Sequence, residues 1–515
     1  MSAGQSSPPA AACPPTRDEL QQQIHQRLDE IIAYCLSEPG PTSFLEFETA
    51  LLGPLRSLGG LLIQLFLRAR HDRFDTTVWT RDRGYRVADP AAGRTLKTSC
   101  GPVAYVRAFL VPRRGGGPGV HPLDVALGLS RDAYTPLVIG WFCRLATRVS
   151  FQVASGLGGM FLGAAPPPSA IEEWVLGLAR PAYVYLSDGP LPENDGEVLV
   201  IEIDGKAAPT ATERELARRR GPRARHAPGC KCQRHRGRAQ RQRRGRKTRR
   251  KKGDKSKNGR SATLVVMYTL RRGEDGRLHG PVHKKVFGTF GSRTSALEWA
   301  RTQATRRGFP PGTAKVVQIV VDGETCLEQR LRRLFRGATL TLDVRHAQEK
   351  LWEVGRLFHQ EGSAELTRWV EDLEELLYKG HVRTLLRRLE QAMRGVSPRG
   401  PGTKAKREVL KRVIAYLEAR VKLMDYGRLR KEDLVIASGV VEGAARYVVG
   451  ERLDNSGMRW IEERAEAVLL LRCIEVNGEW ETFMRWSQER RDQELERGVV
   501  VQIRSKTPTQ LPKAA

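Results

Sequence analysis

The sequence predicts a mixed α/β fold that is interrupted by a large all-helical stretch and preceded by a helical region with a small β element. Short apolar strand patterns alternate with helical patterns between residues 197 and 342, an order typical of a mixed sheet with helices on its faces. From residue 347 to about residue 434, apolar residues recur at helical spacing. The length of 515 residues allows about three or four domains with hydrophobic cores.

Most of the positive charge lies in one segment. The chain has 87 Lys and Arg against 58 Asp and Glu, a net charge of +29, and the segment from Arg218 to Arg260 alone holds 21 basic residues and one acid. An arm of this kind typically binds phosphate, so the composition favours a nucleic acid as partner. A hydrophobic content of 40% and a charged content of 28% exclude a collagen-like or fully disordered chain.

The sequence predicts neither a membrane partner nor an oxidising compartment. The longest apolar run, Leu58 to Leu67, is half of the roughly 20 residues that a membrane span requires. The N-terminus has neither the basic nor the apolar region of a secretory signal. The eight cysteines are mostly scattered and form no disulfide framework. We therefore expect a protein of the reducing cytoplasm.

The N-terminal part is predicted to recognise DNA. Residues 1–16 are rich in Pro, Ala and Ser and are predicted to be a disordered tail. Residues 17–180 combine long helical patterns with a β section at Thr95–Lys97 and Ala104–Val111. Three helical patterns within 134–178 are compatible with a helix-turn-helix. Short apolar helices also fill protein cores, and both readings stay open.

The mixed α/β core is predicted to be split by a helical insertion. Residues 181–346 read as β-β-β-α-β-α-β, with the basic arm at 214–260 as a disordered insertion after the first strand. Residues 347–435 form a helical insertion domain, and residues 436–490 return to the core. Residues 491–515 are a C-terminal tail. The predicted strands are Glu197–Asp204, Ala262–Leu270, Lys284–Thr289, Ala314–Val321 and Ala338–Leu342.

Acidic residues stand where an open α/β sheet carries its active site. Asp204, Asp322 and Asp343 end three strands, and Glu442 lies in the first turns of a helix that Ser438 can cap. Grouped carboxylates repel one another, so their burial together favours a hard cation between them. Two Mg²⁺ ions about 3.5–4 Å apart are a known device for attack on phosphodiesters. A single Asp-Gly pair usually marks only a turn. Here Asp-Gly follows two largely apolar strands, and the chain also carries a basic arm, so the combination favours a metal site.

Five segments form a recognisable set: IEIDG (201–205), VVDGE (320–324), LDVRHAQEKLW (342–352), SGVVEG (438–443) and RLDNSGMRW (452–460). This set resembles bacterial insertion-sequence transposases, and its last two segments resemble the ISKra-type group, which is similar to Mutator-like transposases. The likeness covers roughly residues 95–490. It implies an RNase H-like fold and a DDE metal site in which Asp204, Asp322 and Glu442 bind Mg²⁺ or Mn²⁺. Asp343 and His346 match the Asp-x-x-His element of the group.

The resemblance implies a DDE transposase that cuts DNA at element ends and joins the released 3′-hydroxyl to target DNA. It would act as a homo-oligomer on double-stranded DNA in the bacterial nucleoid. Two alternatives remain: an inactive or repurposed DNA-binding relative, and another RNase H-like nuclease. Asp188 is an alternative first acid, because Asp188-Gly189 follows the β-like run Tyr183–Leu186.

The basic arm also contains a weak zinc pattern. Cys230, Cys232 and His235 could supply three ligands and His226 a fourth. The two cysteines are separated by one residue rather than the commoner two to four, and the surrounding residues include no large apolar side chain. The sequence therefore favours a polycationic segment that neutralises phosphates over a zinc site.

Overall fold

The computed structural model describes residues 15–37, 40, 43–114, 118–162, 165–213, 259–313 and 315–496. The chain divides into two compact units, and each is described by itself. The first comprises Met1–Gly177 and Glu481–Thr509, and the second comprises Leu178–Trp480 and Gln510–Ala515. Nearly all of the predicted N-terminal tail, most of the C-terminal tail and the basic arm up to residue 258 lie outside the described residues.

Two long helices open the first unit. α1 (Arg17–Cys35) begins with a capping box, in which the Thr16 hydroxyl accepts from the N–H of Glu19 and the Glu19 carboxylate accepts from the N–H of Thr16. α2 (Phe44–Arg73) begins after Ser43, whose hydroxyl also accepts a backbone N–H of the first turn. Both starts follow from the cap residues in the sequence.

In the described part of the chain, α2 alone is long and apolar enough to cross a membrane. It has 30 residues, and an 18-residue window within it has a mean hydropathy of 1.5 with 6% of that window buried. The prediction that no segment is long and apolar enough for a membrane span is wrong. It was based on the uninterrupted apolar run Leu58–Leu67, whereas the helix continues on both sides of this run. Length and composition of one helix are weak evidence for a membrane span.

β1 (Tyr85–Thr98) and β2 (Gly101–Pro112) form an antiparallel hairpin that packs on α2. Both predicted strand segments lie in this hairpin. β1 begins at Tyr85 rather than at Thr95, because register irregularities between Val87 and Ala92 disturb the alternation by which a strand is recognised. The core under the hairpin consists of Leu67, Leu96, Val103 and Tyr105.

Four helices follow the hairpin, and the last of them corrects a prediction. This last helix, α6 (Pro168–Asp188), contains Tyr183–Leu186, so the prediction of a β-like run at these residues is wrong. Buried residues continue at helical spacing from Trp174 through Leu178 to Tyr185, and this stripe outweighs the β propensity of the tyrosines. Asp188 therefore ends a helix and not a strand. The other three helices are α3 (Pro122–Ala126), α4 (Pro136–Arg148) and α5 (Phe151–Leu162).

The second unit is built on a five-stranded mixed sheet. Its strands are β3 (Val198–Pro209), β4 (Gly259–Arg272), β5 (Leu278–Thr289), β6 (Val316–Val321) and β7 (Thr339–Leu342), and their order in the sheet is β5-β4-β3-β6-β7. β3, β4 and β5 pair antiparallel, whereas β6 pairs parallel with β3 and β7 parallel with β6. The predicted element order β-β-β-α-β-α-β is confirmed. The helices between the strands are α7 (Arg293–Arg306) and α8 (Thr325–Leu334).

A helical segment leaves the sheet after β7 and returns beside it. The N–H of Val344, at its start, donates to the carbonyl of Ile436, at its end, at 2.9 Å. The two ends of the segment therefore lie side by side, and the core resumes where it was left. Its helices are α9 (Val344–Gly355), α10 (Ala364–Tyr378), α11 (Val382–Gly395), α12 (Thr403–Glu418) and α13 (Tyr426–Lys431).

The chain then covers the sheet with α14 (Gly439–Ala444), a π-helical stretch (Ala445–Asp454) and α15 (Glu462–Val476). The π-helical stretch packs on β3, and α15 packs on β5. The last helix, α16 (Trp480–Glu496), belongs to the first unit from Glu481 onward. The core predicted from the sequence extends to residue 490, ten residues further than the second unit does at this end.

Candidate functional site

Asp204 lies within β3, and Asp322 directly follows the neighbouring parallel strand β6. The register pairs Glu202 of β3 with Val320 of β6, and the two aspartates stand two residues further along each chain. Burial raises the pKa of the Asp204 carboxyl above its usual value, and the negative charge of Asp322 raises it further. The sheet thus brings together two acids that are 118 residues apart in the sequence.

The turn that carries Asp322 is held by the helical segment. The Tyr416 hydroxyl donates to the carbonyl of Asp322 at 3.1 Å, and the Arg420 guanidinium donates to the carbonyl of Gly323. Gly323 has a φ of +87°, and a Cβ at this position would lie 2.2 Å from the Tyr416 hydroxyl. Only glycine fits this turn. α12 and the residues directly after it therefore fix the backbone that presents Asp322.

Asp343 ends β7 as expected, but its carboxylate faces the protein interior. The residue has no exposed surface. One oxygen accepts from the N–H of Arg345 at 2.9 Å, and the other accepts from the hydroxyl of Ser438. Asp343 thereby caps α9 and ties it to the segment before α14. These contacts make it a residue that positions others.

His346 lies in the first turn of α9 and interacts electrostatically with Asp204, lowering the pKa of that carboxyl. Its Nδ1 is 3.4 Å from a carboxylate oxygen of Glu349. The Asp-x-x-His spacing explains the placement, because Asp343 caps the helix and His346 follows within its first turn. Asp204 is thus close enough to Asp322 and to His346 to interact electrostatically with both.

Glu442 is engaged elsewhere. Its carboxylate forms a 2.6 Å ion pair with Arg345, and the two side chains are 42% and 57% exposed. Among the residues that the structure describes, no three His, Cys, Asp or Glu side chains are grouped so as to hold a metal ion. Asp204 and Asp322 suit a hard cation by their oxygen donors and shared charge. Glu442 would have to exchange Arg345 for the metal to join them.

Glu202 is the residue that the sequence analysis missed. It is fully buried in β3, and its carboxylate accepts from the Tyr268 hydroxyl at 2.7 Å and from the N–H of Val441 at 2.8 Å. Burial raises the pKa of Glu202, and these two hydrogen bonds partly offset that effect. Since Val441 precedes Glu442, Glu202 fixes the start of the helix that carries the third acid. The signal in the sequence is an acid within an otherwise apolar strand, two residues before Asp204 and on the same face.

The expected cap of α14 is therefore different from the one in the structure. Ser438 precedes the helix, but its side chain makes no capping hydrogen bond to it. The Ser438 hydroxyl donates to Asp343 instead, and Glu202 accepts the helix N–H. The prediction that Ser438 caps this helix is wrong, because a buried carboxylate from the sheet takes that place.

The RLDNSGMRW segment serves packing. Trp460 is 2% exposed, as expected for a core aromatic, and its indole N–H donates to the carbonyl of Leu453 at 3.1 Å. The guanidinium of Arg452 lies 4.6 Å from the centre of the Trp460 ring. Burial lowers the pKa of Arg452 to about 10, and the charge of Arg472 adds to this effect. These contacts hold the end of the π-helical stretch.

The zinc candidates Cys230, Cys232, His235 and His226 lie outside the described residues. So does the basic arm, apart from Gly259 and Arg260 at the start of β4. The alternative first acid, Asp188, follows no strand, because it is the last residue of α6. Asp204 does lie in a strand, but the prediction that it ends this strand is wrong. β3 continues to Pro209, because β4 keeps pairing with it beyond Asp204.

No protein-family model matches the chain, and no curated protein matches it either. Among solved structures, the chain is similar to a Drosophila P element transposase strand transfer complex, with 10% sequence identity over 69% of this chain and 95% of that chain. The TM-score is 0.31. This value is too low to assign a common fold.

Proposed function

We propose that the chain is a DNA transposase of the DDE type, which cleaves phosphodiesters at element ends and transfers the released 3′-hydroxyl to target DNA. The observation that carries the proposal is the pair of acids Asp204 and Asp322, with Asp204 within β3 and Asp322 directly after the parallel strand β6. Asp322 thus lies at the carboxyl end of a strand, where open α/β sheets bind their ligands. A sheet of three antiparallel strands followed by two strands parallel to the first supports an RNase H-like core.

Asp204 and Asp322 would hold the metal, with Glu442 as third ligand and Mg²⁺ or Mn²⁺ as the ion, in two copies. When bound, the metal ions activate the attacking oxygen and stabilise the leaving oxygen. Asp343 and Glu202 hold the elements that carry His346 and Glu442. His346, beside Asp204, is placed to contact the site or the DNA.

DNA is the proposed partner because the net charge of +29 favours a polyanion. Non-specific affinity would come from the basic arm. The proposal includes a location at the nucleoid of a bacterial cytoplasm and a homo-oligomer as the assembly on DNA.

A second candidate is a repurposed transposase relative that binds DNA without cutting it. The ion pair between Glu442 and Arg345 favours this candidate, because it keeps the third acid away from the other two. The two candidates differ in one measurable property, which is metal-dependent cleavage.

The experiment compares the wild-type protein with Glu442→Gln on duplex DNA from the sequences that flank the reading frame. The transposase proposal predicts Mg²⁺-dependent cleavage and strand transfer by the wild type and none by the variant, since Gln lacks the ligand charge. A gel shift on the same fragment should give equal binding for both. Binding without cleavage by the wild type on every end sequence would favour the repurposed binder.

A further inference from the structure

The helices α11 and α12 form the second concentration of positive charge in the chain. Residues 382–418 contain ten Lys and Arg against three Asp and Glu, a net +7. The arm from Arg218 to Arg260 has a net +20, so these two segments account for all but +2 of the total of +29. Elsewhere the basic residues are nearly balanced by acids, so most of the net positive charge outside the arm lies on this pair of helices.

These helices pack by their apolar faces, and α11 exposes its arginines. α12 exposes Lys404 and Lys411, whereas its Arg407 is half-buried and donates to the carbonyl of Val396, and its Arg412 pairs with Glu353. Arg383, Arg387 and Arg394 are exposed and recur at spacings of four and seven, which places them on one face of α11. Within the described residues, Arg383, Arg387 and Arg388 form no salt bridge, whereas Arg394 is 3.6 Å from Glu390. The buried residues of the pair are Val382, Leu385, Leu386, Leu389, Leu410, Val413, Ile414 and Leu417.

The neighbouring helix α10 has the opposite charge. Residues 364–378 contain five acids and one basic residue, a net −4. The helical segment is thus polarised, with an acidic helix followed by a basic pair. An average solvated surface mixes both signs, so this separation indicates a partner of one sign.

We infer that the exposed face of α11 and α12 binds the phosphates of duplex DNA, as a surface separate from the basic arm. From Arg383 to Arg394 the helix rises about 16 Å, which spans about five phosphates of one strand at the axial rise of B-DNA. An amphipathic helix that binds a membrane exposes large apolar residues, whereas those of α11 and α12 are buried. The inference rests on the proposed function in taking DNA as the partner.

The experiment measures the affinity of the full chain for a random-sequence duplex over a range of salt concentrations. A triple variant, Arg383→Gln, Arg387→Gln and Arg388→Gln, should reduce the slope of log K against log salt by about 2 to 3, because each lost phosphate contact removes about 0.9. The matched Arg→Lys triple variant should keep the wild-type slope, since it keeps the charges. Thermal unfolding of both variants should match the wild type, because the three side chains are exposed.

A control triple removes exposed arginines from other helices of the same unit: Arg301→Gln, Arg332→Gln and Arg333→Gln. An equal loss of slope in this control would overturn the inference, because net charge alone would then explain the effect. An unchanged slope in the α11 variant would also overturn it, as would lost binding to phosphatidylserine vesicles with unchanged DNA binding. The readout does not require cleavage, so an inactive wild-type protein would leave the result standing while the transposase proposal fails.

Discussion

The two sheet-borne acids and the helix-borne acid are held by different kinds of contact. Asp204 and Asp322 stand on strands whose backbone ladder fixes their spacing. Glu442 stands on a helix of six residues that the Glu202 carboxylate holds by a hydrogen bond to the N–H of Val441. The first pair is set by the fold itself, whereas the position of the third acid depends on individual side chains.

Asp204 and Asp322 are therefore in place without a ligand, whereas Glu442 is not. The charges of Asp204 and Asp322 already act on each other. Glu442 is half-exposed and neutralised by Arg345, so it can change partner at little cost in free energy, since exposed ion pairs contribute only about 0–1 kcal/mol. We expect substitutions at the two sides of the site to have separable effects.

The largest effect is expected at the sheet. Asp322→Asn should reduce metal-dependent cleavage by at least about 10³-fold, because Asn keeps the volume and one oxygen but loses the charge that a metal ligand supplies. Asp188→Asn is the matched control and should cleave like the wild type, because Asp188 ends a helix. Rates are measured in a Mg²⁺-dependent cleavage assay. Equal losses in both variants would contradict the assignment of Asp204 as first acid.

A smaller effect is expected at the residue that links the two sides. Glu202→Leu removes both hydrogen-bond acceptors and leaves the N–H of Val441 without its partner, so α14 should shift and cleavage should fall by about 10². Glu202→Gln can still accept from Val441 and pair with Tyr268, so it should retain most of the rate. The assay is the same, with urea unfolding as a check on stability. If Gln were as damaging as Asp322→Asn, Glu202 would itself be a metal ligand.

Glu466 of α15 provides a second buried carboxylate for comparison. It accepts from the Thr289 hydroxyl and the N–H of Phe290, and burial raises its pKa from 4.5 to about 7. The protonated form is favoured by folding, so its contribution to stability is complete below pH 4.5 and is lost as pH rises through about 7. Between pH 5 and 8 the free energy of unfolding should fall by about 2 kcal/mol.

Urea unfolding of the wild type and Glu466→Gln at both pH values checks this expectation. The Gln variant cannot ionise, so the extra pH dependence of the wild type should be absent from it. Parallel curves for the two proteins would show that Glu466 ionises with an ordinary pKa in the folded state.

The smallest effect is expected at Arg345. Both partners of the Arg345–Glu442 ion pair are well exposed, so Arg345→Gln should change the free energy of unfolding by less than about 1 kcal/mol. Cleavage should be retained, because the variant frees Glu442 without altering Asp204 or Asp322. A loss of cleavage comparable to that of Asp322→Asn would contradict this account and place Arg345 at the DNA.

The sheet could be predicted because β3 and β6 are buried on both faces and read as continuous apolar runs. The parallel pairing of β3 with β6 ends at Glu202 and Val320, two residues before Asp204 and Asp322. The contact between Glu442 and Arg345 could not be predicted, because it joins residues 97 apart through long side chains. The role of Glu202 was not predicted, because an acid within an apolar strand indicates a buried hydrogen-bond partner but does not identify that partner. The prediction of a strand at Tyr183–Leu186 was wrong, because the buried residues before this run recur at helical spacing and the helix continues through it.

The hydrogen bond between Glu202 and Val441 joins residues that are 239 positions apart. Domains fold as the chain emerges at about 5–20 residues per second, so roughly 10 to 50 seconds of synthesis separate the two partners. During that interval β3 has been made, but the donor for one oxygen of its buried acid does not yet exist. The third acid follows Val441 directly. The proposed site can therefore assemble only after Val441 and Glu442 have been synthesised.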